Sequence, residues 1–299
     1  MKNGHGAMPA IVLVALLMIS PMIQAVEPGV KTDPGPDHHL LQLPTDTYPI
    51  NGWGHHPTNE TYNQQNDDLL RLTPSQGDPE NGWIARADLR SPREISNIAC
   101  IQNSSIPDEL GISDMNWLWG QFISHDIDFT LTQNGRVDGI PERLDIVIPD
   151  GDPWMDPSGT GSNLIMLFRS LYNTSNENDT HAREHPNSVT GWLDGSAVYG
   201  STPSVASWLR TGEGGLLKIT EDPNGPLLPL ADPDDDTAPG MSFVGFSASE
   251  RYIAGDSRAN EHAALTATHI LMIREHNRIA DLLQTQHPNW TDEDIYQTA

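Results

Sequence analysis

The chain has 299 residues, 36% of them hydrophobic, so it can build a substantial core and is not a disordered tail. Its 41 acidic residues outnumber 16 basic ones, and the formal net charge of −25 repels phosphate backbones and anionic lipid surfaces, which argues against nucleic acid as a partner. The 25 glycines and 24 prolines predict many ordered loops between helices.

The N-terminus has the pattern of an export signal. Lys2 supplies positive charge, the stretch from Ile11 to Ile19 is apolar, and Ile23-Gln24-Ala25 is a plausible cleavage site. The apolar stretch is well short of the roughly 20 residues that span a bilayer, so we expect no membrane span. The sequence therefore predicts a signal peptide over residues 1–25 and a secreted protein, extracellular or periplasmic. Residues 26–44 show little periodicity and are expected to be irregular.

The first strong helical pattern runs from Asp114 to Thr130. Leu118, Phe122, His125 and Phe129 recur at spacings of four, three and four, which places them along one stripe of a helix. Residues 131–187, which follow, alternate short apolar runs with turns and are expected to be loop with short elements.

A second long helix is predicted from Ser257 to about Gln286, where Pro288 ends it. Since the strong helices outweigh the few alternating strand runs, the chain is expected to be mainly α-helical. The acidic segment between them, with Asp232 and Asp234, has the spacing that opens an EF-hand loop. It lacks the glycine of that loop at Thr237, so it is interpreted as a solvated acidic loop.

The first predicted helix carries polar residues that serve two sites. Gln121 and His125 lie four apart and share a face, whereas Asp126 is turned about 100° from the histidine. A single histidine on a buried face is more often a core residue than a catalytic one. The neighbouring residues decide between these alternatives.

Residues 114–130 resemble the distal-histidine helix of the animal haem peroxidases, the peroxidase-cyclooxygenase superfamily. The resemblance rests on Trp-Gly-Gln-x-x-x-His-Asp-x-Asp, rare residues at fixed spacing. It implies that His125 is the distal histidine, that Gln121 lines the pocket beside it, and that Asp126 is a calcium ligand.

The segment 188–201, Ser-Val-Thr-Gly-Trp-Leu-Asp-Gly-Ser-Ala-Val-Tyr-Gly-Ser, resembles the calcium loop of the same family. The ligands that this implies, together with Asp126, are oxygen atoms of Thr190, Trp192 (its carbonyl), Asp194 and Ser196. Such a set suits calcium, which takes six to eight hard oxygen ligands. Without the resemblance the loop would be interpreted as an ordinary turn.

The segment 254–278 resembles the part of the family that carries the distal arginine, here Arg258, and a glutamate that forms an ester with haem, here Glu261. Three residues apart on the predicted helix, the two side chains can face one cavity. An isolated pair of this kind would be a surface ion pair contributing about 0.2–0.5 kcal/mol. Because three segments of this chain match the family in the order in which the family has them, an isolated surface pair is the less favoured interpretation.

Two positions depart from the family pattern. Where well-known members carry an aspartate that esterifies a haem methyl, this chain has Ser124, which cannot form that ester. His262 stands where one member has a methionine bonded to haem, so no sulfonium link is expected. Covalent attachment of haem b is therefore expected through Glu261 at most.

The resemblance covers residues 45–299, interpreted as a haem peroxidase domain. In the family the histidine that ligates iron lies on a later helix, and His269, His276 and His287 do not belong to that motif. The sequence is therefore expected to be the distal, N-terminal portion of a bacterial-type secreted member, incomplete at its C-terminus.

The resemblance implies a haem- and calcium-dependent peroxidase that reduces hydrogen peroxide and oxidises a halide or a small organic donor. Two alternatives stay open from the sequence. One is a fatty-acid dioxygenase of the same superfamily, and the other is a haem-free, calcium-binding extracellular scaffold. The set His125, Gln121, Arg258 and Glu261 argues against the scaffold, which has no need of it.

Overall fold

The computed structural model describes residues 47, 49–72, 90–132, 142–161, 163–173, 183–232, 234–242 and 251–299. The predicted signal peptide and the segment 26–44, which was predicted to be irregular, lie outside these residues. The described part is mainly helical, which confirms the predicted fold class. Its helices are α1 Pro92–Ala99, α2 Met115–Ile127, α3 Ser196–Tyr199, α4 Pro203–Leu209, α5 Ala263–Gln286 and α6 Asp292–Thr298, and its strands are β1 Ile146–Val147 and β2 Leu164–Ile165.

The chain divides into two compact units. The first comprises the described parts of Met1–Gln64, Asp114–Ile127 and Val189–Ala299, and the second those of Gln65–Ser113 and Asp128–Ser188. In the second unit β1 and β2 pair antiparallel, with Ile146 opposite Ile165. These strands of two residues each confirm short elements among loops in the described part of 131–187.

The core of the first unit forms around α5. This helix buries Leu265, Ile270 and Ile273 in one cluster with Phe122 of α2 and Val198 of α3. A smaller cluster joins the C-terminal half of α5 to α6 through Ala280, Leu283 and Ile295. The packing of α2 and α3 on α5 is what brings the predicted site residues together.

Helix α2 confirms the predicted stripe, because Leu118, Phe122 and His125 are buried along it. The helix ends at Ile127, earlier than expected. At Phe129 the main-chain N–H donates to Oδ1 of Asn187 at 2.8 Å. That bond uses the N–H that would otherwise donate to a main-chain carbonyl within a longer α2.

The predicted start of α5 is wrong. The helix begins at Ala263, not at Ser257, and residues 256–261 form successive turns. Oδ1 of Asp256 accepts the main-chain N–H of Arg258 at 2.8 Å, an Asx turn that competes with helix at this point. The N-cap is His262, whose Nδ1 accepts the N–H of Leu265 at 3.2 Å. Arg258 and Glu261 are therefore not on a helix.

No helix in the described residues combines the length and apolar character needed to cross a membrane.

Candidate active site

His125 lies beside carboxylates on both sides of its ring. The side chain is 6% exposed, with Nε2 at 3.8 Å from Oε2 of Glu261 and Nδ1 at 3.9 Å from Oδ1 of Asp256. Gln121, one turn earlier on α2, donates from Nε2 to the same oxygen of Glu261 at 3.0 Å. An imidazole in such a setting can take up and return a proton.

His262 completes this polar cluster and has a defined tautomer. Its Nε2 lies 2.8 Å from Oε1 of Gln121, an amide oxygen that can only accept, so Nε2 carries the hydrogen. Its Nδ1 accepts from the main chain of α5 and is therefore unprotonated. The ring also lies 5.3 Å from that of Trp117. His262 thus fixes the amide orientation of Gln121, so that the amide nitrogen faces Glu261.

Two groups hold the guanidinium of Arg258: the main-chain carbonyl of His125 and the carboxylate of Asp256. Its Nη2 donates to the carbonyl oxygen of His125 at 3.1 Å. Its Nε and Nη2 donate to the two carboxylate oxygens of Asp256 at 2.9 and 2.7 Å. Asp256 is 2% exposed, so a buried carboxylate orients the guanidinium in a planar, bidentate arrangement.

His269 of α5 lies beneath this cluster and is 1% exposed. Neither of its ring nitrogens has a hydrogen-bond partner in the described structure. Burial lowers the pKa of His269 to about 4, against the opposing effect of the negative charge of Asp256. The ring packs edge-on against Phe122, with centroids 5.1 Å apart. His269 is therefore neutral at pH 7.

Asp126 joins α2 to the segment that leads into α3. Its Oδ2 accepts the N–H of Gly195 at 3.1 Å, and its Oδ1 accepts the N–H of Ala197 at 2.8 Å. The hydroxyl of Ser196 donates to the carbonyl oxygen of Asp126 at 2.9 Å. Gly195 has a φ of 76°, which favours glycine at this position. The residue next to His125 is thus tied to the 190–196 loop.

The loop itself brings the other predicted calcium ligands together. Thr190 donates from Oγ1 to Oδ2 of Asp194 at 2.7 Å, and the N–H of Ser196 donates to Oδ1 of Asp194 at 3.0 Å. The described bonds of Trp192 are made by its main-chain N–H to Oγ1 of Thr190 and by its indole N–H to the carbonyl oxygen of Tyr62. These residues and Asp126 form one compact group.

The donor set of this group fits a divalent cation. Burial raises the pKa of Asp194, and the negative charge of Asp126 raises it further. Two carboxylates that repel one another gain stability from a cation between them. Together with the hydroxyls of Thr190 and Ser196 they supply the hard oxygen atoms that calcium takes.

The structure brings Gln121, His125, Arg258 and Glu261 into one cluster, and the predicted calcium ligands into a neighbouring group of the same unit. Sequence reasoning missed Asp256, although an Asp two residues before Arg258 is the spacing of an Asx turn. It also missed the part played by His262, considered only as a departure from the family. Nothing in the local sequence pointed to His269.

Comparison with known proteins decides which family has this arrangement. The model of the family described as animal haem peroxidase matches residues 47–299. The chain belongs to the animal haem peroxidase family. Dual oxidase 1 of the dog, Canis lupus familiaris, is 33% identical over 259 residues, which are 84% of this chain and 16% of that protein.

Two solved structures extend the comparison of this haem peroxidase chain. Peroxidase A from Dictyostelium discoideum superposes with a TM-score of 0.73 at 26% identity, covering 85% of this chain and 49% of that one. The fatty acid alpha-dioxygenase of Oryza sativa gives a TM-score of 0.58 at 22% identity, covering 83% and 35%, and shows the fold alone. The chain thus spans about half of the peroxidase and a smaller part of the other relatives.

The residues around His125 fit a haem. The side chain of Glu261 is 38% exposed, and its carboxylate lies 3.8 Å from the imidazole. Trp117 exposes about half of its surface on α2, and its ring lies 5.3 Å from that of His262. A carboxylate beside an imidazole, with an apolar ring close by, suits a large planar apolar group with polar edges. Ser124 is exposed on the same helix and offers no carboxylate.

Proposed function

We propose that this chain carries the distal residues of a haem peroxidase, which reduces hydrogen peroxide and oxidises a halide or a small organic donor. One observation carries the proposal: the guanidinium of Arg258 is bonded to the main chain of His125 at 3.1 Å, with Gln121 and Glu261 in the same cluster. A base and a fixed cation side by side suit the cleavage of a bond between two oxygen atoms.

Haem b would be held on the side of His125 where the carboxylate of Glu261 is open to solvent. Glu261 is the candidate for an ester with the haem, because Ser124 cannot form one. Bound haem supplies the redox-active iron at which peroxide is reduced. The protein contributes the orientation of peroxide and the movement of its protons.

His125 acts as the base and then as the acid. Its imidazole takes a proton from one oxygen atom of hydrogen peroxide and delivers it to the other, which then leaves as water. Proton transfer by a positioned histidine contributes about 10²- to 10⁴-fold to such a step. The low exposure of the ring keeps bulk water from competing for the proton.

Arg258 stabilises the negative charge that develops on the departing oxygen atom. Its charge is permanent, and Asp256 holds its orientation before the reaction begins. A preorganised donor of this type requires no rearrangement when charge develops.

Calcium would bind between Asp126 and Asp194, with oxygen atoms of Thr190, Trp192 and Ser196. Since Asp126 follows His125 on α2 and is bonded to the loop at Gly195, the cation would fix the helix that carries the base.

We further propose that the protein is exported from the cell, on the basis of the signal-peptide pattern at its N-terminus.

The dioxygenase alternative has less support than the peroxidase. The superposition on peroxidase A is closer, with a TM-score of 0.73 against 0.58 for the plant dioxygenase. A haem-free scaffold would not need a buried carboxylate that holds a part-buried arginine through two hydrogen bonds beside a histidine.

A stopped-flow reaction of the haem-loaded protein with hydrogen peroxide tests the proposal. His125→Ala is expected to slow the peroxide-dependent change of the haem spectrum by about 10²- to 10⁴-fold. The matched control is His287→Ala, since His287 stacks on Trp290 near the end of α5 and not on the cluster. A reaction as fast in His125→Ala as in the parent would remove His125 as the base.

A further inference from the structure

A hydrogen-bonded tyrosine and histidine lie in the first unit, outside the polar cluster around His125. The hydroxyl of Tyr199, the last residue of α3, is 3.1 Å from Nδ1 of His276 on α5. On its other side, Nε2 of His276 is 2.9 Å from the carbonyl oxygen of Gly215. The reaction assigned to His125 and Arg258 makes no use of this pair.

The carbonyl group of Gly215 determines which nitrogen of His276 carries the hydrogen, and so which partner donates in the pair with Tyr199. A carbonyl oxygen can only accept, so Nε2 of His276 carries the hydrogen. Burial lowers the pKa of His276, which is 3% exposed, and raises the pKa of the Tyr199 hydroxyl. The histidine is therefore neutral with an unprotonated Nδ1, and the tyrosine is protonated. Tyr199 must then donate to His276, which is the arrangement needed to release a proton.

The surroundings of the pair are aromatic. The ring of Tyr296 contacts both partners edge-on, at 5.9 Å from Tyr199 and 5.4 Å from His276. Arg210 stacks over Tyr296 at 3.8 Å and is itself neutralised by Asp292 and Glu293. The proton acceptor is thus held at a fixed distance in a largely apolar environment, where a hydrogen bond is strong.

The pair is linked through Gly195 to the helix that carries His125. The ring of Tyr199 packs on Gly195, where an added Cβ would lie 3.1 Å from it. The N–H of Gly195 is bonded to Asp126, the residue after His125. One van der Waals contact and one hydrogen bond therefore separate Tyr199 from the neighbour of the proposed base.

We propose that Tyr199 and His276 form a redox pair that stores one oxidising equivalent. Tyr199 loses one electron, and its phenolic proton moves to Nδ1 of His276, leaving a neutral tyrosyl radical and an imidazolium. The electron goes to haem that hydrogen peroxide has oxidised, so the assignment rests on the proposed peroxidase function for its oxidant. When a small donor returns an electron, the proton moves back from His276 to Tyr199.

A cavity borders the pair. Tyr199 and His276 line a cavity of about 300 Å³ together with the apolar side chains of Leu193, Met272 and Ile279 and the carboxylates of Asp126 and Glu275. The walls are mostly apolar, which suits an organic donor better than a halide ion.

Photochemical oxidation tests the pair without haem or peroxide. A ruthenium tris-bipyridyl dye with persulfate, flashed in the presence of the 299-residue chain, oxidises tyrosine, and electron paramagnetic resonance of frozen samples detects the radical. Ring-deuterated tyrosine identifies the residue type by narrowing the signal. Tyr199→Phe is expected to remove most of the tyrosyl signal. The control Tyr252→Phe, at a buried tyrosine with no hydrogen bond to an imidazole in the described structure, is expected to retain it.

His276→Gln tests the proton acceptor, because an amide cannot take up the proton. Radical formation is expected to slow by about tenfold, the change that corresponds to 1.36 kcal/mol. A full signal in Tyr199→Phe, or an undiminished rate in a folded His276→Gln, would overturn the proposal. Since the dye supplies the oxidant, this result does not depend on the peroxide reaction of His125, and the two proposals can fail separately.

Discussion

Nη2 of Arg258 donates a hydrogen bond of 3.1 Å to the carbonyl oxygen of His125, although the two residues lie 133 positions apart in the chain. The carboxylate of Asp256 accepts two further hydrogen bonds from the same guanidinium. The base on α2 and the cation on the 256–261 turns are therefore fixed relative to one another before any peroxide is bound.

Arg258→Lys is expected to slow the peroxide reaction of the haem-loaded protein by about 10²- to 10³-fold, the usual loss when one preorganised donor is removed. Lysine keeps the charge but cannot form the planar fork to Asp256. Stopped-flow absorbance measures the rate. The matched control is Arg274→Lys, because Arg274 also anchors a loop, at the carbonyl of Pro226. Equal rates for the two variants would show that the fork at Arg258 is not needed.

Asp256→Asn is expected to lower the free energy of unfolding by about 3 kcal/mol, because it takes the buried carboxylate away from the part-buried guanidinium of Arg258. Denaturant unfolding measures the change. Glu275→Gln is the control: it breaks the pair with Arg278, whose side chains are about half exposed, and should cost less than about 1 kcal/mol. A similar small cost at Asp256 would mean that the pair contributes little.

Acid is expected to destabilise the protein through His269. An unfolded histidine binds a proton near pH 6.5, whereas burial keeps the folded His269 neutral down to its pKa of about 4. Between these values the unfolded state binds more protons, so the free energy of unfolding falls by up to about 3 kcal/mol as the pH drops. Above pH 6.5 this contribution is constant.

His269→Phe checks that assignment, since phenylalanine can pack on Phe122 and does not titrate. Its unfolding free energy is expected to depend less steeply on pH between 6.5 and 4. Some slope should remain, because burial also lowers the pKa of His276. An unchanged slope in the variant would assign the acid sensitivity to other groups.

Calcium is expected to raise the thermal unfolding midpoint, because a ligand at 100 times its dissociation constant stabilises by about 2.7 kcal/mol. Asp194→Asn should weaken calcium binding in a calorimetric titration and reduce this shift. Asp234→Asn, in the exposed acidic loop, is the control and should behave as the parent. If chelation of calcium changed neither the midpoint nor the haem spectrum, the proposed link between Asp126 and His125 would be wrong.

Covalent attachment of haem is expected only at Glu261. Acid extraction of the loaded protein followed by mass spectrometry should find haem retained in the parent and released from Glu261→Gln. Retention in that variant would point to an attachment that neither Ser124 nor His262 provides.

The sequence predicted the elements whose signals are local. The stripe of Leu118, Phe122 and His125 follows from helical spacing, and α2 buries it as expected. The start of α5 was placed too early, because apolar periodicity cannot register that Asp256 bonds the main chain at Arg258 and forms a turn. The long helix after Ala263 was otherwise recovered.

The site depended on distant contacts that no local pattern reveals. Asp126 meets the 190–196 loop about 70 residues later, so the family resemblance was needed to associate them. His269 looks like any residue on the apolar face of α5, and its position beneath Arg258 follows only from packing. His262 was missed for the same reason, since its partner Gln121 lies 141 positions away. Asp256 was missed although its partner Arg258 is only two positions away, where the spacing of an Asx turn was a local signal.

A double-mutant cycle on His125 and Arg258 tests the central claim most directly. The rate of the peroxide reaction is measured for the haem-loaded parent, His125→Ala, Arg258→Lys and the combined variant. If the two residues act as a unit on one step, the double variant is about as slow as the slower single variant. Losses that multiply, or a parent-like rate in either single variant, would contradict a shared site.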